Sequence, residues 1–174
     1  MIFTDDFSSG NLNKWDGSSN VTVVSQAANF NGGGAYLLKT KVLDNCSTTL
    51  DLKFVASGNQ TFRLRIDDGT NNCDFWCRQD TSSIQLLKNG DVSGASGSYT
   101  FTPNNFYTLK LVKSGSNFNA YINSVLQLTA NNFISFTASR VVPIADVWVN
   151  TQIVDNVTID SIQGSGSGNM LNFF

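Results

Sequence analysis

The sequence predicts an all-β fold, a two-sheet antiparallel β-sandwich of jelly-roll type. Three observations carry this. Apolar residues recur at every second position in run after run: Leu50, Leu52 and Phe54; Phe62, Leu64 and Ile66; Tyr107, Leu109 and Leu111; Phe118, Ala120 and Ile122. Alternation with period two is the mark of a strand with one face buried. No segment sustains a 3.6-residue apolar period, and turn residues interrupt the chain at roughly 8–12-residue intervals, as in sandwiches. A sheet with one apolar face must be covered, and this chain offers only further strands to cover it.

In order, residues 1–16 read as an edge strand and a short turn. Asp6 and Asp16 are turn caps there, with calcium binding as the other use of such acids. Residues 21–25 form a strand. Residues 29–34, Asn-Phe-Asn-Gly-Gly-Gly, read as a loop, because glycine permits positive φ. They lack the following helix and Lys-Ser/Thr pair of a phosphate loop. Strands follow at 35–41, 48–55 and 62–66, then a turn at Asp67-Asp68-Gly69. In the strand at 73–79, Asp74, Trp76 and Arg78 oppose the face of Cys73, Phe75 and Cys77. Residues 83–88 lead into Asn89-Gly90, a type I′ hairpin signal. Residues 93–98 are loose and small, and 99–102 lead to Pro103-Asn104-Asn105. Strands at 133–139, 145–150 and 152–162 complete the set. Pro103 and Pro143 suit loops or strand starts.

The stretch 106–128 is a three-stranded meander. Its strands are separated by Ser114-Gly115-Ser116-Asn117 and by Asn123-Ser124. With the Phe-Tyr-Thr-Leu-Lys-Leu run and Tyr121-Ile122-Asn123, it resembles a segment of concanavalin A-like lectin/glucanase and laminin G-like domains. Asp5-Asp6-Phe7 with Leu12 and Trp15 resembles their opening, and residues 154–159, Val-Asp-Asn-Val-Thr-Ile, resemble their closing strand. Ser124 stands where that family usually has glycine. The resemblance covers residues 1–163 and implies the concanavalin A-like form of the jelly roll. Residues 164–174 are set apart as a Gly/Ser linker, 164–168, and a hydrophobic C-terminal arm.

Composition narrows the function. The 174 residues suffice for one domain with a sizeable core, and a 41% hydrophobic content fits a globular chain. A net charge of −2 without a basic patch argues against nucleic acid. The N-terminus lacks the pattern of a signal peptide, so synthesis and folding in a cytoplasm are expected, with no membrane association. Cys46, Cys73 and Cys77, an odd count, are expected to be free thiols buried as small hydrophobes, with no disulfide, metal or cofactor. The chain has no His, and all 13 of its acids are Asp. Without His no Ser–His–Asp or Cys–His arrangement is possible. The Glu pair of the related glucanases is absent, and no strand carries a corresponding Asp cluster. The expectation is therefore a domain that is not an enzyme.

Two functions are left. One is a structural role. Domains resembling this one occur in bacteriophage virions, as capsid decoration (cement) proteins and in tail fibres. The resemblance therefore implies a virion surface component, in a homo-oligomer, a trimer first. Its anchor to neighbouring subunits or capsid protein would be Met170, Leu171, Phe173 and Phe174 of the arm, worth about 1.5–3 kcal/mol each if buried. The other is a lectin-like, glycan-binding module. Arg63, Arg65, Trp76, Arg78 and Tyr121, with Trp148 as a further candidate, place aromatic rings beside hydrogen-bonding groups on polar strand faces, as sugar recognition needs.

Overall fold

The computed structural model describes residues 3–146 and 151–162. Fifteen strands lie within them: β1 Phe3–Asp5, β2 Gly17–Ser19, β3 Val21–Val24, β4 Ala27–Asn31, β5 Ala35–Leu43, β6 Cys46–Phe54, β7 Thr61–Asp67, β8 Asn72–Arg78, β9 Ser83–Lys88, β10 Val92–Ser98, β11 Phe106–Ser114, β12 Asn117–Ile122, β13 Val125–Ala130, β14 Ala138–Ala145 and β15 Thr151–Ser161. They form two antiparallel sheets. The first runs β13-β12-β11-β6-β15-β4-β3, with β1 added beside β15; the second runs β10-β9-β8-β7-β14-β5-β2. The long strand β15 serves two partners on one side. Residues 151–154 pair with β4, and 157–159 pair with β1. The handover falls at a bulge where Asn156 takes a φ of 49°.

The core is the set of inward rows that the alternation names. Leu50, Leu52 and Phe54 of β6, Phe62, Leu64 and Ile66 of β7, Leu109 and Leu111 of β11, and Phe118 of β12 are all fully buried. Rings meet across the gap, with Phe30 of β4 edge-on to Phe62 of β7 at 6.0 Å. All three cysteines are free and buried among these residues. The opening motif is held by the buried carboxylate of Asp5. It accepts hydrogen bonds from the Trp15 indole at 2.8 Å, the Phe7 amide at 3.1 Å and the Lys14 ammonium at 3.3 Å. Asp6 accepts from the Ser8 amide and hydroxyl, and Asp16 accepts from the Thr40 amide, both as turn and strand-end caps.

Three local readings are corrected. Residues 29–34 are not all loop. Ala27–Asn31 is β4, with Phe30 fully buried, because pairing with β3 and β15 outweighs an Asn-rich composition. Residues 92–98 are a strand rather than a loose segment, and their small size has a packing reason. A β-carbon on Gly94 would lie 2.4 Å from the Phe133 ring, and one on Gly97 would lie 3.2 Å from Leu128. The strand expected at 133–139 begins only at Ala138, since Phe133, Ile134 and Phe136 pack against the core from a connecting segment. Lys113 points inward, two positions beyond Leu111. Its ammonium donates to the carbonyls of Asp44 (2.7 Å) and Gly115 (3.0 Å) and lies 5.2 Å from the Phe136 ring centre. Parity places it inside, at the end of the sandwich, where two carbonyls meet the charge; burial lowers its pKa.

Two predictions follow from this packing. Asn123 and Ser124 both hold positive φ, at 50° and 66°, so the meander's second turn is a type I′ turn with serine in a position that favours glycine. Ser124→Gly should raise stability by about 0.5–1 kcal/mol, read as a higher denaturation midpoint at unchanged slope. Burial pushes the Cys46 thiol up to about 11 from 9.0 and holds Cys73 and Cys77 well above their usual value. The folded state therefore keeps a proton that the unfolded chain loses, and the contribution of Cys46 is lost as pH rises past about 9. Native protein should resist an aromatic disulfide reagent at neutral pH and react at all three thiols once unfolded. Wild type should also lose stability relative to Cys46→Ala between pH 9 and 11.

Candidate functional site

The outer face of the second sheet is where charged and aromatic side chains converge. β7 sits between β8 and β14, and register does the rest. Arg63 lies opposite Trp76 on one side and Ile144 on the other. Arg65 lies likewise between Asp74 and Val142, and Asp67 between Asn72 and Arg140. Because Phe62, Leu64 and Ile66 are locked inside, the intervening residues must all point outward. All four of the chain's arginines, Arg63, Arg65, Arg78 and Arg140, stand on this face.

Each guanidinium is held by a carboxylate. Asp74 is fully buried beneath two of them. It accepts from Arg65 Nε at 2.6 Å and Nη2 at 2.9 Å, and from Arg63 Nη1 at 3.3 Å. Arg63 also donates to Asp146 from Nε at 2.8 Å and Nη2 at 2.6 Å. Arg78 pairs with Asp80, and Arg140 Nε donates to Asp67, which also accepts from the Gly69 amide at 2.9 Å. The hydrogen bonds to Asp74 raise the Arg65 pKa. The Arg78 guanidinium likewise holds Asp80 below the usual carboxylate range. These arginines are charged and fixed in place.

Trp76 stands among them. Arg63 and Arg78 each lie against its indole, their guanidinium carbons 5.3 and 5.1 Å from the ring centre. The ring is half-buried, and its Nε1 donor is buried with no partner among the described residues. Beside this cluster is an open pocket of about 270 Å³. Tyr36, Leu38, Val142 and Ile144 line it on the apolar side, and Arg65, Asp67 and Arg140 on the polar side. Aliphatic floor, aromatic margin and fixed donors together suit a ligand with a C–H face and a rim of oxygen atoms.

Of the sequence-derived glycan candidates, the structure brings Arg63, Arg65, Trp76 and Arg78 together. Tyr121 does not join them. It is on the outer face of the first sheet, beside Leu126 and with the Lys110 ammonium 5.9 Å from its ring centre. Both sheets have an outward face, and parity alone does not say which residues share one. Trp148 and the arm residues Met170, Leu171, Phe173 and Phe174 lie outside the described residues. The pocket residues Tyr36, Leu38, Arg140, Val142 and Ile144 were not foreseen. A signal existed: Val141 to Ala145 is apolar at odd and even positions alike, so one of its two faces leaves apolar side chains outside the core.

No family model matches the chain, and no curated protein matches its sequence. Solved structures do match in shape. The carbohydrate-binding module CBM66 from Bacillus subtilis superposes with a TM-score of 0.70 at 18% identity, over 85% of this chain and 96% of that one. A Bacillus licheniformis β-glucanase gives 0.72 at 13% identity, over 92% and 98%. A Crh5 transglycosylase gives 0.75 at 15%, over 92% and 84%. The virion, capsid and homo-oligomer expectations gain no support from these neighbours. The expectation that the chain is not an enzyme is corrected: a β-glucanase and a transglycosylase are built on this same sandwich, so the absence of Glu and His does not set the chain apart from a fold that carries such activities. Aspartate, moreover, supplies carboxylates for acid–base work. These likenesses establish the architecture of the chain, a jelly-roll β-sandwich of the concanavalin A-like and galectin-like kind.

Proposed function

We propose that the chain is a glycan-binding, lectin-like module and that the outer face of the second sheet is its sugar-binding surface. The observation that carries this is the half-buried Trp76 indole, with the Arg63 and Arg78 guanidiniums against its ring, on the same sheet face as a pocket with both an apolar floor and fixed guanidinium donors. A sugar ring offers an apolar C–H face and a rim of hydroxyl acceptors, and this surface offers the complement of each. The arginines need no reordering to bind, because their carboxylate partners already hold them, and this lowers the entropic cost of recognition. The shape likeness to a carbohydrate-binding module and a β-glucanase supports the same reading. It concerns binding, and stands whether or not a bound glycan is then turned over.

A glycan array followed by calorimetric titration of the best binder tests it. Trp76→Ala should weaken binding by about tenfold, since one aromatic contact contributes about 0.5–1.5 kcal/mol and its two flanking guanidiniums lose their platform. Trp76→Tyr, which keeps a ring, should retain most of the affinity. Ligand should also perturb tryptophan fluorescence, and that perturbation should vanish in the Trp76 variants. A blank array for the wild type would overturn the assignment, as would undiminished affinity in a folded Trp76→Ala protein.

A further inference from the structure

The same face indicates which glycans it takes; the inference rests on the glycan-binding reading above. The four arginines show 20%, 25%, 32% and 38% of their side chains to solvent (Arg63, Arg65, Arg78 and Arg140 in turn). The carboxylates that hold Arg65 and Arg140 show 0% and 4%. At Arg65 and Arg140 the positive group is thus outermost and its counter-charge lies beneath it, whereas Asp146 beside Arg63 and Asp80 beside Arg78 keep 27% and 21% of their side chains in solvent. No lysine occurs on β7, β8 or β14. The cations that line the pocket, Arg65 and Arg140, are planar forks, which match a carboxylate or sulfate two oxygens at a time, where an ammonium would act as a point charge.

Arg65 uses Nε and Nη2 on Asp74, leaving Nη1 for a ligand, and Arg140 binds Asp67 through Nε. Both arginines line the pocket, opposite Val142, Ile144 and Tyr36. We infer that the pocket seats an acidic sugar, its C–H face on Val142 and Ile144 and its oxyanion between Arg65 and Arg140. The shared chemistry is an oxyanion on a pyranose-sized ring, whether a uronate carboxylate or a sulfate ester.

The experiment uses the wild-type chain and three probes: an oligogalacturonate, its methyl ester, which removes the charge and keeps the ring, and a sulfated oligosaccharide. At low salt the acid should bind about tenfold or more tightly than its ester, as expected of a charge-assisted pair replaced by a neutral one. The gap should narrow as ionic strength rises from about 0.01 M to about 1 M, where screening shortens from about 30 Å to about 3 Å. In Arg140→Gln the ratio of acid to ester affinity should fall towards one, and a thermal melt of that variant checks its fold. Binding of the sulfated probe in preference to the uronate would assign the oxyanion as sulfate. Equal affinity for acid and ester, with the sulfated probe no better, would overturn the inference and leave glycan binding intact. Failure of every glycan, neutral or acidic, would instead remove the parent reading.

Discussion

The register of β7 between β8 and β14 is the constraint on which the rest of the site depends. Phe62, Leu64 and Ile66 face the core opposite Cys77, Phe75 and Cys73 of β8, and Leu64 and Ile66 face Pro143 and Val141 of β14. Those inward rows exclude water, at about 1.5–3 kcal/mol for each large side chain buried. A slip of one residue would turn the row outside, so the pairing is not negotiable. Once it is fixed, Arg63 can only stand beside Trp76 and Arg65 only beside Asp74. The arrangement of this outer surface is thus a by-product of how the core is packed.

Asp74 extends that constraint to the electrostatics. A carboxylate without solvent contact is costly unless it is paired and hydrogen-bonded. Three guanidinium N–H groups meet it here, from two arginines on the neighbouring strand. The arginines are the outer layer of a charge pair whose inner layer belongs to the sheet itself. Arg140 over Asp67 repeats the arrangement at the far side of the pocket, with the Gly69 turn amide as the extra donor. Arg65, Asp67 and Arg140 form the pocket's polar side, and Val142 and Ile144 contribute to its apolar floor. Preorganisation of this kind is typical of surfaces that recognise polar ligands with modest contact area.

The opposite sheet is built by the same rule and carries a different surface. Its outward rows place Lys110 beside Tyr121, and Asp51 between Thr108 and Asp155. Burial raises the Asp155 pKa, with the neighbouring Asp51 adding to the shift, and Asn156 donates to Asp51 at 2.9 Å. Among the described residues this face has no arginine, and its rings Tyr121 and Phe106 meet the ammonium groups of Lys110 and Lys53. The two faces of one sandwich therefore differ in the chemistry they present.

What the sequence determined by itself was the period. Alternation at 50–54, 62–66, 73–78, 107–111 and 118–122 is a property of neighbours along the chain, and it specifies strand, inward row and outward row together. It placed Trp76 with Arg78 and Asp74, and Tyr121 with Lys110's side of the meander, because parity is local. The tertiary structure decided which strands lie side by side. It set Arg63 and Arg65 over Trp76 and Asp74, drew in Tyr36 and Leu38 from β5 and Arg140, Val142 and Ile144 from β14, and left Tyr121 on the other sheet. It also made strands of Ala27–Asn31 and Val92–Ser98, whose own composition favours loops. The reason is physical. Side-chain direction follows from the pleat of a single strand, whereas pairing is settled by burial summed over residues far apart in the chain, and no short stretch contains that sum.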